Sequence, residues 1–212
     1  MINGIQVKVC GITSLIDAEA ADRVGADFLG FDLNPKSPRH VPLEVYHNIV
    51  THLPYRKKIA VMTEPRKEEL RHALAIGFSL AQIHFNHTTP LEQIEKWSRT
   101  VGARHLWLAP ELPPEMDVPG EWLSLADGFL LDPFCADENT RDSGDWRKFA
   151  RHRETHPDNL WILSGDLTPD NAGEAVNKSG ARFVDVSSGV EISPGVKNTA
   201  KLEAFARALR QR

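Results

Sequence analysis

Eight short apolar runs, each followed by a stretch suited to a helix, set the tightest limit on how this chain folds. The runs cover residues 6–10, 28–33, 58–62, 80–84, 105–108, 128–131, 160–163 and 183–186. They are rich in β-branched and aromatic residues and nearly apolar throughout. That pattern suits strands covered on both faces, as in a parallel sheet. Helix starts fall in the gaps. Ser14 and Asp17 have capping-box spacing ahead of an Ala-rich run, and Thr89-Pro90-Leu91-Glu92 combines an N-cap, a first-turn proline and a back-bonding acid. Thr168-Pro169 opens another helix in the same way, and Leu202, Phe205, Ala206 and Leu209 form one apolar stripe near the C-terminus. The fifth helix is the weakest, because it follows a proline-rich stretch over 110–119.

Eight strand–helix units in 212 residues come close to the minimum for a (β/α)8 barrel, an α/β fold. A doubly wound open sheet uses the same alternation. Against it, Cys10-Gly11-Ile12-Thr13 replaces the GxGxxG turn with which such a sheet wraps a pyrophosphate. No Pro/Gly/Ser-rich linker interrupts the pattern, so residues 1–212 are expected to form a single barrel domain.

Composition narrows the function classes. Hydrophobic residues make up 41% of the chain, enough for one substantial core, and the net charge of −4 is spread over interspersed acids and bases. No basic patch points to nucleic acid. No basic segment followed by an apolar stretch opens the chain, and no run is long enough to cross a bilayer, so no membrane role is expected. Cys10 and Cys135 form neither a disulfide framework nor a CxxC pair, which fits a reducing, cytoplasmic compartment. The histidines lack the companion thiolates or carboxylates of a zinc site, and no metal is expected.

A parallel barrel gathers its chemistry at the carboxyl ends of its strands. Those positions hold Cys10, Asp32, His84, Asp132, Ser164-Gly165-Asp166 and residues 185–189. A cysteine acts as base or nucleophile only as thiolate, which neighbouring cations favour. Lys8 lies two residues before Cys10, on the same side of the strand. It suits an activator of the thiol and equally an ion-pair partner of an interior carboxylate. Asp132 closes an apolar run, where partial desolvation favours a general acid; a turn-capping role is the plainer alternative. Ser187-Ser188-Gly189 sits where barrels bind phosphate through backbone N–H groups. Pro35-Lys36-Ser37-Pro38-Arg39 is a rigid loop whose Arg39 suits bidentate capture of a carboxylate.

Together, in this order, these residues resemble phosphoribosylanthranilate isomerase, the Amadori-rearranging enzyme of tryptophan biosynthesis. The likeness runs nearly end to end. It is strongest at Lys8-Val9-Cys10-Gly11-Ile12-Thr13, at Gly25-Ala26-Asp27-Phe28-Leu29-Gly30-Phe31 leading into the Arg39 loop, and at Asp185-Val186-Ser187-Ser188-Gly189-Val190-Glu191 with Pro194-Gly195-Val196-Lys197. Gln82-Ile83-His84, Leu130-Leu131-Asp132 and Leu167-Thr168-Pro169-Asp170-Asn171 match less closely.

The resemblance implies a cofactor-free barrel acting on a small phosphorylated substrate, as a monomer or homodimer. It implies Cys10 as general base and Asp132 as general acid. Lys8, Arg39, Gln82, His84, Asp185 and Ser187 would bind substrate, Arg39 facing the anthranilate carboxylate. Gly165, Asp166, Ser188 and Gly189 would hold the phosphate. Four departures fall where the active face is expected: Gly165-Asp166 for a Gly-Gly pair, Phe85 for a glycine, Asp32 for an apolar residue, and a changed loop over 138–146 that keeps only Thr140, Asp145 and Trp146 in register. A paralogue with an altered phosphorylated-sugar substrate and a non-catalytic ligand-binding barrel are the two alternatives.

Overall fold

The computed structural model describes residues 1–132 and 146–211. Eight parallel strands close into a barrel: β1 (Gln6–Val9), β2 (Phe28–Asp32), β3 (Lys57–Thr63), β4 (Leu80–Asn86), β5 (Leu106–Glu111), β6 (Gly128–Leu131), β7 (Leu160–Leu163) and β8 (Phe183–Val186). Closure is made by β1 against β8, with Gln6 opposite Phe183 and Lys8 opposite Asp185. The helices are α1 (Leu15–Val24), α2 (Leu43–Ile49), α3 (Lys67–Ala75), α4 (Leu91–Val101), α5 (Trp146–Thr155), α6 (Ala172–Ser179) and α7 (Thr199–Gln211). A short antiparallel hairpin, β9 (Glu191–Ser193) with β10 (Val196–Lys197), sits between β8 and α7.

Seven α-helices, rather than eight, cover the barrel among the described residues. The fifth crossover carries only a 3-10 turn, Gly120–Trp122. Its prolines remove the N–H groups a helix needs. The buried Trp122 does the covering instead, its ring centroid 5.3 Å from that of Phe85.

The caps follow the sequence in part. Ser14 caps α1, its Oγ accepting from the Asp17 N–H. The Asp17 carboxylate, expected to bond back in a capping box, instead accepts from Ser14 Oγ and from the Lys197 N–H, pinning α1 to β10. Thr89 does not cap α4. Its hydroxyl donates to Glu64 Oε1 at 3.0 Å, and Pro90 occupies the N-cap. The Thr168-Pro169 pair lies in a turn before α6, which starts at Ala172 with Asn171 as N-cap. The stripe Leu202, Phe205, Ala206 and Leu209 is buried as its spacing predicts.

Among the described residues two apolar bodies hold the fold. The larger fills the space between barrel and helices, and the smaller fills the barrel itself. The floor of the interior is aromatic: Phe28 stacks on Phe183 at 5.0 Å, and Trp107 meets both rings edge-on at 5.2 and 5.4 Å. A Cβ on Gly128 would lie 2.9 Å from the Trp107 ring, so glycine there makes room for the indole. Period-two alternation then lifts the inward residues toward the carboxyl rim: Phe28 to Gly30 to Asp32, Leu80 to Gln82 to His84, Phe183 to Asp185 to Ser187. Apolar side chains close the bottom, and polar ones open at the top.

Candidate active site

Lys8 is wholly buried in the layer above the aromatic floor, with Nζ 2.9 and 3.0 Å from the two Asp185 oxygens. Register explains the pair, since Lys8 and Asp185 are partners across β1 and β8. Gly30 on β2 leaves the space, because a Cβ there would lie 2.8 Å from Lys8 Cε and 3.0 Å from Cys10 Sγ. Burial works against the lysine's charge, but Asp185 and Cys10 together hold its pKa above the ordinary value. Lys8 is thus the ion-pair partner of Asp185 and stands beside the thiol.

Cys10 follows β1 directly and is half-buried, packing on the interior apolar cluster. Burial pushes its thiol up. Lys8 and, more weakly, Lys197 pull the other way, while Asp185 adds to the rise. The Ser187 hydroxyl donates to the Cys10 carbonyl at 3.2 Å, tying the rims of β8 and β1 together.

Gln82 and His84 face the same interior from β4, with Gln82 Nε2 2.8 Å from His84 Nε2. Burial pushes His84 down, Lys8 reinforces the shift, and Asp185 and Asp32 oppose it. The shift favours the neutral imidazole beside the Gln82 amide. Asp32 Oδ1 accepts the Asn34 N–H at 2.9 Å, shaping the loop that carries Arg39.

Arg39 is engaged by a residue to which the sequence assigns no role. Its Nε lies 2.9 and 3.1 Å from the Glu191 oxygens and its Nη2 2.7 Å from Glu191 Oε2. Lys197 Nζ reaches the same carboxylate at 2.7 Å. Glu191 and Lys197 are partners across the β9–β10 hairpin. The Glu191 bonds raise the Arg39 pKa, and the two cations hold the Glu191 carboxyl below its ordinary range despite burial. Both residues stand in one of the strongest matching blocks, where their identity could be read but not their contact with Arg39.

Asp132 extends the inward series Gly128, Leu130 and stands exposed at the rim after β6. Its carboxylate packs directly on Gly165, where any Cβ would overlap it. Gly165 (φ +82°) and Asp166 (φ +30°) are both left-handed. Asp166 is exposed, and its carbonyl accepts from Asn171 Nδ2 at 3.0 Å. Gly189 packs against the backbone of Leu167 and Thr168 so closely that a Cβ would overlap the Leu167 carbonyl. The loops after β7 and β8 therefore form one unit. Ser188 and Gly189 open a 3-10 turn, so their N–H groups lack acceptors within it.

Phe85 does not belong to the active face, contrary to expectation. It is buried on the helix side of β4 with its centroid 5.5 Å from that of Trp97, since one residue beyond inward His84 the chain points out. The changed loop over 138–144, with Thr140, Asp145 and Cys135, lies outside the described residues; Trp146 opens α5. Among the described residues no group of three or more His, Cys, Asp or Glu is arranged to hold a metal ion. No helix among them is long and apolar enough to cross a membrane.

The family model for N-(5'-phosphoribosyl)anthranilate isomerase matches residues 7–208. The chain belongs to the phosphoribosylanthranilate isomerase family. An N-(5'-phosphoribosyl)anthranilate isomerase from Zymomonas mobilis subsp. mobilis is 32% identical over 97% of this chain and 98% of its own length. Another, from Paramagnetospirillum magneticum, is 33% identical over 97% of each. Among solved structures, phosphoribosylanthranilate isomerase from Thermus thermophilus superposes with a TM-score of 0.76 at 29% identity, covering 98% of this chain and 99% of that one. A family structure in complex with reduced 1-(o-carboxyphenylamino)-1-deoxyribulose 5-phosphate gives 0.74 at 26% identity, covering 98% and 100%. The (β/α)8 architecture of these phosphoribosylanthranilate isomerases is that of the present barrel.

Proposed function

We infer that this barrel converts N-(5'-phosphoribosyl)anthranilate into 1-(o-carboxyphenylamino)-1-deoxyribulose 5-phosphate, an Amadori step in tryptophan biosynthesis. The observation that carries the reading is register: in a chain of this family, Cys10 and Asp132 extend inward-facing series of β1 and β6 to one rim.

The chemistry needs one acid and one base aimed at different atoms of one sugar. Asp132, as the carboxylic acid, protonates the ribose ring oxygen, the C1–O bond breaks, and an iminium forms. The Cys10 thiolate removes the C2 proton and the electron pair moves into the C1–C2 bond, giving an enolamine. The enol proton leaves, C1 is reprotonated, and the C2 ketone results. Lys8 stabilises the thiolate. Gln82, His84, Asp185 and Ser187 line the sugar side, and Arg39 meets the anthranilate carboxylate. The N–H groups of Gly165, Asp166, Ser188 and Gly189 seat the phosphate. All these residues come from one chain, so a monomer and a homodimer serve equally, and a cytoplasmic setting suits a thiol base. A family member from Thermotoga maritima is described as dimeric.

The direct test is loss of anthranilate-type fluorescence when purified protein meets phosphoribosylanthranilate. Turnover is expected, and Cys10→Ala or Asp132→Asn should lower kcat by about 10²–10⁴-fold. Full turnover by Cys10→Ala would reject the assignment. The kcat/KM profile should be bell-shaped. Because a carboxylic acid titrates below a thiol, the acid–thiolate pair is a minor protonation state. Its share is constant between the two titrations and falls once the thiol titrates, and burial pushes Cys10 up. The alkaline limb then lies above the ordinary thiol range.

A further inference from the structure

Glu191 is 5% exposed and has two cationic partners. A buried ion pair is weak evidence of stability, because desolvation offsets much of the attraction. The cost of removing this carboxylate from water therefore calls for another reason. Its geometry supplies one. Within this triad one carboxylate faces two cations, and Lys197 is itself fully enclosed. Arg39 is the open member, 24% exposed, with its Cδ 2.6 Å from where a Gly11 Cβ would stand, one residue from Cys10.

Glu191 occupies the guanidinium along its Nε–Nη2 edge, and Nη1 makes no hydrogen bond among the described residues. The hairpin bearing Glu191 is itself anchored. Gly195 N–H reaches Glu191 Oε1 at 3.3 Å, and the Lys197 N–H is held by Asp17 of α1. Two elements far apart in the chain thus meet on one carboxylate.

We propose that Glu191 is a positioning residue that sets substrate specificity: held by the β9–β10 hairpin, it fixes Arg39 with its free edge turned to the substrate carboxylate. The proposal rests on the isomerase reading above. Released from Glu191, Arg39 would lose rotational order before binding, and recognition of the carboxylate would weaken while the acid–base chemistry stayed in place.

The test compares Glu191→Gln, Arg39→Ala and the double variant on two substrates, phosphoribosylanthranilate and phosphoribosylaniline, which lacks the carboxylate. Glu191→Gln should raise KM for the anthranilate about 10-fold or more, the loss of an ordered charge-assisted contact, with a smaller change in kcat. On the aniline substrate the rise in KM should be severalfold smaller. The double variant should be no worse than Arg39→Ala. Equal losses on both substrates, or additive losses in the double variant, would overturn the proposal. Glu191→Asp keeps the charge that compensates Lys197 and guards against misfolding of the Gln variant; an intermediate KM is expected from it, and a wild-type KM would count against the proposal. Should wild type show no turnover, affinities for reduced 1-(o-carboxyphenylamino)-1-deoxyribulose 5-phosphate decide. A weaker Kd in both single variants sustains the positioning role while the catalytic reading fails, and unchanged or absent binding rejects it.

Discussion

Asp166 holds a backbone conformation that an aspartate adopts only at a cost, with φ +30° beside Gly165 at +82°. The likeness leads one to expect a Gly-Gly pair here, and both Gly165 and Asp166 take the left-handed path although the second is no glycine. Replacing Asp166 with Gly should relieve that strain and raise stability by about 1 kcal/mol, read by urea denaturation. The carboxylate is exposed, so its repulsion of a phosphate is screened. KM for phosphorylated substrates should fall only about two- to fivefold. An unchanged KM would show that Asp166 points away from the phosphate and would weaken the altered-substrate alternative. Single residues were legible where strand parity fixes direction, as for Lys8 beside Cys10. Glu191 was not, because its role depends on Arg39, 152 positions earlier. Local spacing carries no trace of such a contact.

At the scale of elements, the eight strands were readable and their ends were less so. Strands β6, β7 and β8 begin and end where their apolar runs do. Strand β4 runs on through Asn86 and β5 through Glu111, because their register continues from His84 opposite Ala109 to Asn86 opposite Glu111. Hydrophobicity marks burial, whereas polar residues facing an open rim still pair in the sheet. The β9–β10 hairpin, three residues against two, is too short to register as alternation. Contact between the loops after β7 and β8 was equally hidden, yet it makes a sharp prediction. Gly189→Ala would drive a methyl into the Leu167 carbonyl. The loops must part, costing about 1–3 kcal/mol. Displaced N–H groups at Ser188 and Gly189 should raise KM about tenfold with kcat less affected. Chemical denaturation and steady-state kinetics on one preparation check both, and an unaltered KM would remove these groups from the phosphate seat.

Across the whole molecule, stability and chemistry occupy opposite ends of one barrel. Phe28, Trp107 and Phe183 seal the lower end, and the Lys8–Asp185 layer lies between that floor and the thiol. Parallel strands impose this division, since every strand delivers its last inward residue to the same rim. Trp107 is 1% exposed and packs against two aromatic rings. Trp107→Ala should therefore cost about 3–5 kcal/mol through the void it leaves. Below its lowered melting temperature the variant should retain the kcat/KM of wild type, because Cys10, Asp132 and the loops after β7 and β8 lie at the far rim. Cys10→Ala should show the reverse, with turnover lost and melting nearly unchanged. Thermal melts paired with assays well below each midpoint would measure both. If Trp107→Ala lost activity in proportion to stability, the floor would be shaping the mouth through the buried Lys8–Asp185 pair, and the two ends would have to be treated as one coupled unit.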